Sequence, residues 1–372
     1  MLASRRGSQS LVKIGFTGGY MSGGQTKWAY VPQLDGLRAA AILIVMISHA
    51  GVAIVPGGFG VTIFFFLSGY LITSLLRLEA QETGRVDLAA FYLRRTARIM
   101  PAMFAAISLA AVLQIAGLVP YKLTQSGLAA DYLFLTNYAS SLGVRPAVGI
   151  PLWSLDVEEH FYIGFSAVFA LVFARRDPQR AAAICAAACL AVLAIRVTHM
   201  KAGANAQMVY YWSHTRVDSI LFGCILALWQ NPMIDRDAYR PGPIALLCAA
   251  GLLTAGFVVR DEFFRETLRY SIQGVGLFIV FSWVLQLHER CMPWFSLPPI
   301  KWVALLSYSL YLIHYPLLEL AEAQGLQPAW LWGYLLAFGW AYLSYKVIES
   351  PAQNWRKAFE RRRKSGTLAS AR

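Results

Sequence analysis

Arg38 and His49 lie eleven residues apart in the stretch LDGLRAAAILIVMISHA (34–50). Histidine is the side chain best suited to take and return a proton near neutral pH. On a helix, eleven residues are close to three turns, about 16 Å along the axis, so the two side chains share one face. An ionisable group inside a bilayer is costly unless it faces protein, water or a substrate. With an arginine at one mouth and a histidine deeper in, this face suits a reaction joining something cytoplasmic to something outside. The competing reading of His49 is a ring bonded to a neighbouring backbone carbonyl.

Four further segments carry chemistry-bearing residues. FYLRRTARIMP (91–101) sets Arg94 and Arg98 one turn apart, with Arg95 beside them. Guanidinium forks match phosphate oxygens, and a cytoplasmic nucleotide-bearing donor such as coenzyme A would supply them; the alternative is positive-inside anchoring. In PLWSLDVEEHFYIGF (151–165), Ser154 as N-cap would put Asp156 at the second helical position, favoured there by exposed amides and the helix dipole. That account does not extend to Glu158 and Glu159, which enter the apolar stretch and call for a buried cation or a substrate hydroxyl. SYSLYLIHYP (307–316) carries Ser307, Tyr311 and His314 ahead of Pro316, whose missing N–H frees a backbone carbonyl, so a structural bond for His314 competes with a site role. TRVDSILFG (215–223) brings Arg216 and Asp218, read as pairing with groups on other helices.

These residues need helices to position them, and the composition supplies helices of one kind. The 372 residues are 57% hydrophobic and 14% charged, with mean hydropathy +0.49, where a soluble protein carries about 25% charged residues. Apolar runs near 39–55, 59–76, 99–117, 153–174, 181–199, 216–230, 243–259, 271–288, 302–320 and 329–348 approach the roughly 20 residues a span needs. The fold class is therefore an all-α membrane protein, a polytopic bundle of about ten transmembrane helices. GGFG (57–60) reads as a tight turn joining the first two, and the sixth helix has an alternative start in MVYYWSH.

Lys and Arg on alternate sides of these spans number twenty-five against eight, which places both termini in the cytoplasm. The net charge of +13 thus reads as a topology signal and not as a nucleic-acid surface. Residues 1–33 read as a disordered cytoplasmic tail without the features of a signal peptide, and 352–372 as a basic cytoplasmic tail. The five cysteines form no CxxC pair, and the four at 185, 189, 224 and 248 read as inert thiols buried in apolar runs. P-loop, G-x-G-x-x-G, G-x-S-x-G and H-E-x-x-H motifs are absent, as is any Cys/His pattern with zinc spacing, so neither ATP hydrolysis nor a metal is expected.

In order along the chain, LDGLRAAAILIVMISHA, GGFGVTIFFFLSGYLIT, FYLRRTARIMP, PLWSLDVEEHFY, RVDSILFG, SYSLYLIHYP and IESP resemble the acyltransferase 3 family of integral membrane O-acyltransferases, from about Leu34 to Pro351. The resemblance implies about ten helices, a bacterial inner-membrane location, and transfer of an acyl group from an acyl-CoA donor such as acetyl-CoA. The acceptor it implies is a hydroxyl of a cell-envelope or secreted glycan. It assigns catalysis to Arg38, His49, Glu158 and Glu159, and donor binding to Arg94, Arg95, Arg98 and Ser68. Two departures stand out: many members have Asp at Thr62 and Gln at His160. Many relatives also append an extracytoplasmic SGNH domain; the 21 residues after Pro351 are too few for one, so the chain is expected to act alone or with a separate partner. Two other readings stand beside this one. The first is a carrier for a glycan or acylated intermediate, using His49 and the glutamates as a proton relay. The second is an O-acyltransferase acting on a small molecule or lipid.

Overall fold

A computed structural model of the chain describes residues 31–52, 54–149, 151–288 and 291–370. Helices run through it from end to end, with no strand among the described residues. In chain order they are α1 (Pro32–His49), α2 (Gly57–Thr83), α3 (Leu88–Ile115), α4 (Gln125–Tyr132) and α5 (Thr136–Ala139). There follow α6 (Leu152–Val168), α7 (Pro178–Lys201), α8 (Ala206–Tyr211), α9 (Ser213–Trp229) and α10 (Pro243–Val258). The last are α11 (Glu262–Glu266), α12 (Leu268–Val284), α13 (Pro298–Ala323), α14 (Ala329–Ser344) and α15 (Ser350–Ser370). Each of the ten apolar runs is occupied by one long helix, and α2, α3, α7 and α13 are long and apolar enough to cross a membrane. Large apolar side chains face outward as well as inward: Leu171, Leu190, Ile244 and Leu247 are all exposed. A helix that is apolar all round needs an apolar solvent.

Local chemistry explains where the elements begin. Asp87 and Asp177 cap α3 and α7 by accepting from the backbone N–H groups of Ala90 and Arg180, and Thr124 caps α4 through Gly127. Proline opens α1 and α13, where its missing N–H costs nothing. Packing is set by small residues. A methyl group on Gly69 of α2 would lie 1.9 Å from the carbonyl oxygen of Ile220 in α9, and one on Gly223 would lie 2.1 Å from that of Phe66, so the two backbones touch. Around this crossing α1 packs on α2 and α13, α7 on α9, and α13 on α14.

Several expected boundaries move. Helix α1 starts seven residues earlier than its apolar run and stops at His49, so the histidine ends the helix and is not inside a longer one. GGFG is the first turn of α2; the connection lies before it, at 50–56. Ser154 is inside α6, whose cap position is Pro151. MVYYWSH does not extend α9, because Trp212 is extended and separates α8 from it. The basic 352–370 segment is helical, with Arg363 3.3 Å from Asp87. The expected tail at 1–33 lies outside the described residues up to Tyr30, and residues 371–372 do too. Cys185, Cys189 and Cys224 are buried, but Cys248 faces outward from α10.

Candidate active site

His49 meets His314. Its Nδ1 lies 2.8 Å from Nε2 of His314, across 265 residues of sequence. The other nitrogen of His314, Nδ1, faces the carbonyl oxygens of Leu310 at 3.0 Å and Tyr311 at 2.9 Å. Carbonyls only accept, so Nδ1 of His314 carries the proton, and its Nε2 in the neutral ring is an acceptor. His49 must then donate through Nδ1, which leaves its Nε2 with a free lone pair. Two backbone carbonyls thereby set the tautomer of a histidine on another helix. His314 is fully buried and His49 half-buried, with the Tyr315 ring edge-on to His49 at 5.3 Å. The structural bond foreseen for His314 exists, but it uses the carbonyls of its own turn and not the one that Pro316 frees.

α1 and α13 run side by side, each with a cation near its start and a histidine farther along; His49 ends α1, whereas α13 continues past His314 to Ala323. At the start, Arg38, Arg98 and Lys301 line a cavity of about 220 Å³ together with Asp35, Trp302 and Glu349. Arg38 is held 3.1 Å from Asp35. From this cavity α13 carries Tyr308 and Tyr311 toward His314, the former bonded to the Ile99 carbonyl and the latter to Ser154 and the Pro151 carbonyl. A second cavity, of about 430 Å³, opens beyond His314 at the other end of α13, where Tyr315 and Glu319 line it.

The three arginines of α3 go to three places. Only Arg98 lines the cavity with Arg38. Arg95 lies over the rings of Phe91 and Tyr162, at 5.9 and 5.1 Å. Arg94 pairs with Glu79 at 3.2 Å, so the shared face of Arg94 and Arg98 does not make a shared site. Beside Arg95, the Tyr162 hydroxyl sits between Ser68 Oγ at 3.0 Å and Glu158 Oε2 at 2.7 Å. Glu159 is buried, and its Oε1 has no hydrogen-bond partner among the described residues. The hydrogen bond to the His49 ring comes from His314.

The remaining candidates hold helices together. Asp218 pairs with Arg196 at 2.7 Å with both side chains fully buried, and Arg196 also reaches the Thr215 and Thr267 carbonyls, tying α7, α9 and the start of α12. Arg216 is fully buried among the rings of Phe65, Trp153, Tyr210 and Tyr270, the last at 3.8 Å, and faces Thr62 Oγ1 at 3.4 Å. The departure at Thr62 therefore removes a carboxylate from beside Arg216. His160, the other departure, bonds Ser213 at 2.7 Å. Asp156 does not cap its own helix; it accepts from the backbone N–H of Asn137 and anchors α5. Ser307 bonds the Ala304 carbonyl in its own turn. No group of three or more His, Cys, Asp or Glu side chains that could hold a metal ion occurs among the described residues.

Sequence reasoning missed Lys301, Tyr162 and Tyr315. Lys301 counted only as a topology charge, although it precedes His314 along one helix much as Arg38 precedes His49. Tyr162 and Tyr315 stood inside quoted segments, but aromatic residues are too common in apolar helices to be singled out.

The family model described as an acyltransferase domain matches residues 31–346. O-acetyltransferase OatA of Staphylococcus aureus (strain NCTC 8325 / PS 47) is 31% identical over 350 residues, covering 87% of this chain and 57% of the relative. Peptidoglycan O-acetyltransferase OatA of Listeria monocytogenes is 30% identical over 355 residues, covering 87% and 56%. The chain thus spans somewhat more than half the length of these curated relatives. No solved structure matches. The match of that family model over residues 31–346 makes this chain a member of the acyltransferase 3 family.

Proposed function

We propose that the chain is a multi-pass O-acyltransferase of the bacterial inner membrane, with both termini in the cytoplasm. It moves an acyl group, acetyl in the reading favoured here, from acyl-CoA to a hydroxyl of an envelope glycan. The observation that carries the reading is the His49–His314 pair, which leaves one imidazole nitrogen of His49 ready to accept a proton. The names of the staphylococcal and listerial relatives support acetyl as the group, and the listerial name supports a cell-wall glycan as acceptor.

The donor's phosphates rest on Arg38, Arg98 and Lys301, where guanidinium forks and an ammonium meet phosphate oxygens. Its pantetheine arm runs along α13, past Tyr308 and Tyr311, and brings the thioester to His49. The acceptor hydroxyl gives its proton to His49 Nε2 while its oxygen attacks the thioester carbonyl carbon. The C–O bond forms, the C–S bond breaks, and the imidazolium returns its proton to the departing thiolate. The products are an ester and free coenzyme A. While His49 is charged, His314 Nε2 continues to accept its Nδ1 proton. Arg95, Glu158, Tyr162 and Ser68 form a polar group between the donor cavity and the core that steers the arm.

The test is ester formation by purified protein given labelled acetyl-CoA and a glycan acceptor. Covalently labelled glycan supports the reading, and a carrier would leave none. His49→Ala at wild-type protein levels is expected to lower the rate about 10²-fold or more. An unchanged rate removes His49 from the chemistry.

A further inference from the structure

The larger cavity differs in chemistry from the cationic one. Its walls come from Tyr121, the loop around 140–149, the segment from Asn205 to Tyr211, and Tyr315 and Glu319 of α13. At about 430 Å³ it falls within the usual range for small-molecule sites, roughly 300–1,000 Å³. Arg145 and Glu319 are the charged residues of this wall, and they face each other at 3.6 Å. The Arg145 guanidinium also lies over the Tyr121 ring, 3.2 Å from its centroid. The cation is thus engaged twice within the protein, and the lining is neutral overall.

The other polar groups are uncharged: Ser140, Ser141, Asn205 and Gln207. Asn205 Oδ1 already accepts from the Gln207 backbone N–H, which leaves its Nδ2 as the donor it offers; Gln207 Nε2 donates to the Tyr211 hydroxyl at 3.1 Å, which leaves its Oε1 as an acceptor. Amides and hydroxyls set beside the faces of Tyr211 and Tyr315 suit a ring with hydroxyls at its edge and C–H groups on its faces. A carboxylate in the same place would meet Glu319 and find Arg145 occupied. The far wall is Tyr315, whose ring also touches His49.

We propose that this cavity binds the acceptor as an uncharged sugar unit, and that the closed Arg145–Glu319 pair selects against sugars bearing carboxylates. The proposal rests on the acyl-transfer reading for its purpose, but the binding can be measured without any donor. Chitotetraose serves as the neutral probe and tetragalacturonate as the carboxylate-bearing one, titrated calorimetrically into purified full-length protein. Wild type is expected to bind the neutral probe at least about tenfold more tightly, and Gln207→Ala to weaken it about tenfold. Glu319→Gln frees Arg145 and is expected to bring the two probes within about threefold of each other. Equal affinity of wild type for the two probes, no binding of either, or no response to both substitutions overturns the assignment. Binding as expected in a protein that forms no ester from acetyl-CoA leaves the cavity assignment standing and refutes the transfer reading instead.

Discussion

The free ring nitrogen of His49 is set by groups on another helix. Leu310 and Tyr311 offer carbonyls to His314, His314 offers a lone pair to His49 Nδ1–H, and His49 Nε2 keeps its lone pair, as the proposed base requires. His314→Gln can still present an acceptor to His49 and is expected to retain more transfer activity than His314→Ala, which leaves the His49 tautomer unset; equal losses would deny the positioning role. Thr62→Asp places a carboxylate beside the caged Arg216 and is expected to raise the melting temperature in detergent, since a buried cation gains most from a close anion. A lower melting temperature would show that the aromatic cage and Thr62 already satisfy it. In α4, burial pushes the Asp131 carboxyl up to about 6, against hydrogen bonds from Val148, Thr136 and Ala147 that pull it down. The folded chain then holds this proton more tightly than the unfolded one. The contribution to stability is present below about pH 4, declines between about pH 4 and 6, and is level above. Melting temperatures of wild type relative to Asp131→Asn should fall across that window. At this scale the sequence revealed residue types and spacing on one helix, so Arg38, His49 and His314 were legible. The bond between the two histidines was not, because 265 residues separate them and no local pattern encodes the pairing.

Helices α1 and α13 lie side by side, each with a cation near its start and a histidine farther along. α1 packs in turn on α2, whose contact with α9 depends on Gly69 and Gly223. Gly223→Ala is expected to destabilise the fold by roughly 1–3 kcal/mol, because its new methyl meets backbone and not a movable side chain. A melting temperature equal to wild type would show that the helices can separate at no cost. On α3 the division of labour predicts a split. Arg98→Ala should raise KM for acetyl-CoA, whereas Arg94→Ala, which breaks only the surface pair with Glu79, should leave it within about twofold. Apolar runs located ten long helices because a long apolar run has few other uses; among the described residues they missed the basic α15, which has no such run. Their ends were less legible: α1 extends into the polar VPQLDG segment and α6 begins before Ser154. No side chain caps either helix, and α1 opens on Pro32, so the usual polar cap signal was missing from both.

At the scale of the molecule, two cavities of different character lie on either side of His314 along α13. One carries Arg38, Arg98 and Lys301 beside Asp35 and Glu349; the other is neutral and aromatic. In the proposed reaction such an arrangement would let the acyl group cross while coenzyme A stays on its own side. The charge asymmetry in the sequence predicts an orientation, but the cavities were hidden from it, since each draws on residues from helices and loops far apart in the chain. The most direct measurement uses proteoliposomes with the protein in one orientation. Labelled acetyl-CoA is supplied on the side of the Arg38 cavity, and a membrane-impermeant glycan only on the side of the Glu319 cavity. The account predicts labelled ester on the glycan with wild type and a rate at least about 10²-fold lower with His49→Ala. Ester formed only when donor and glycan share one side, or formed equally well by His49→Ala, would contradict it.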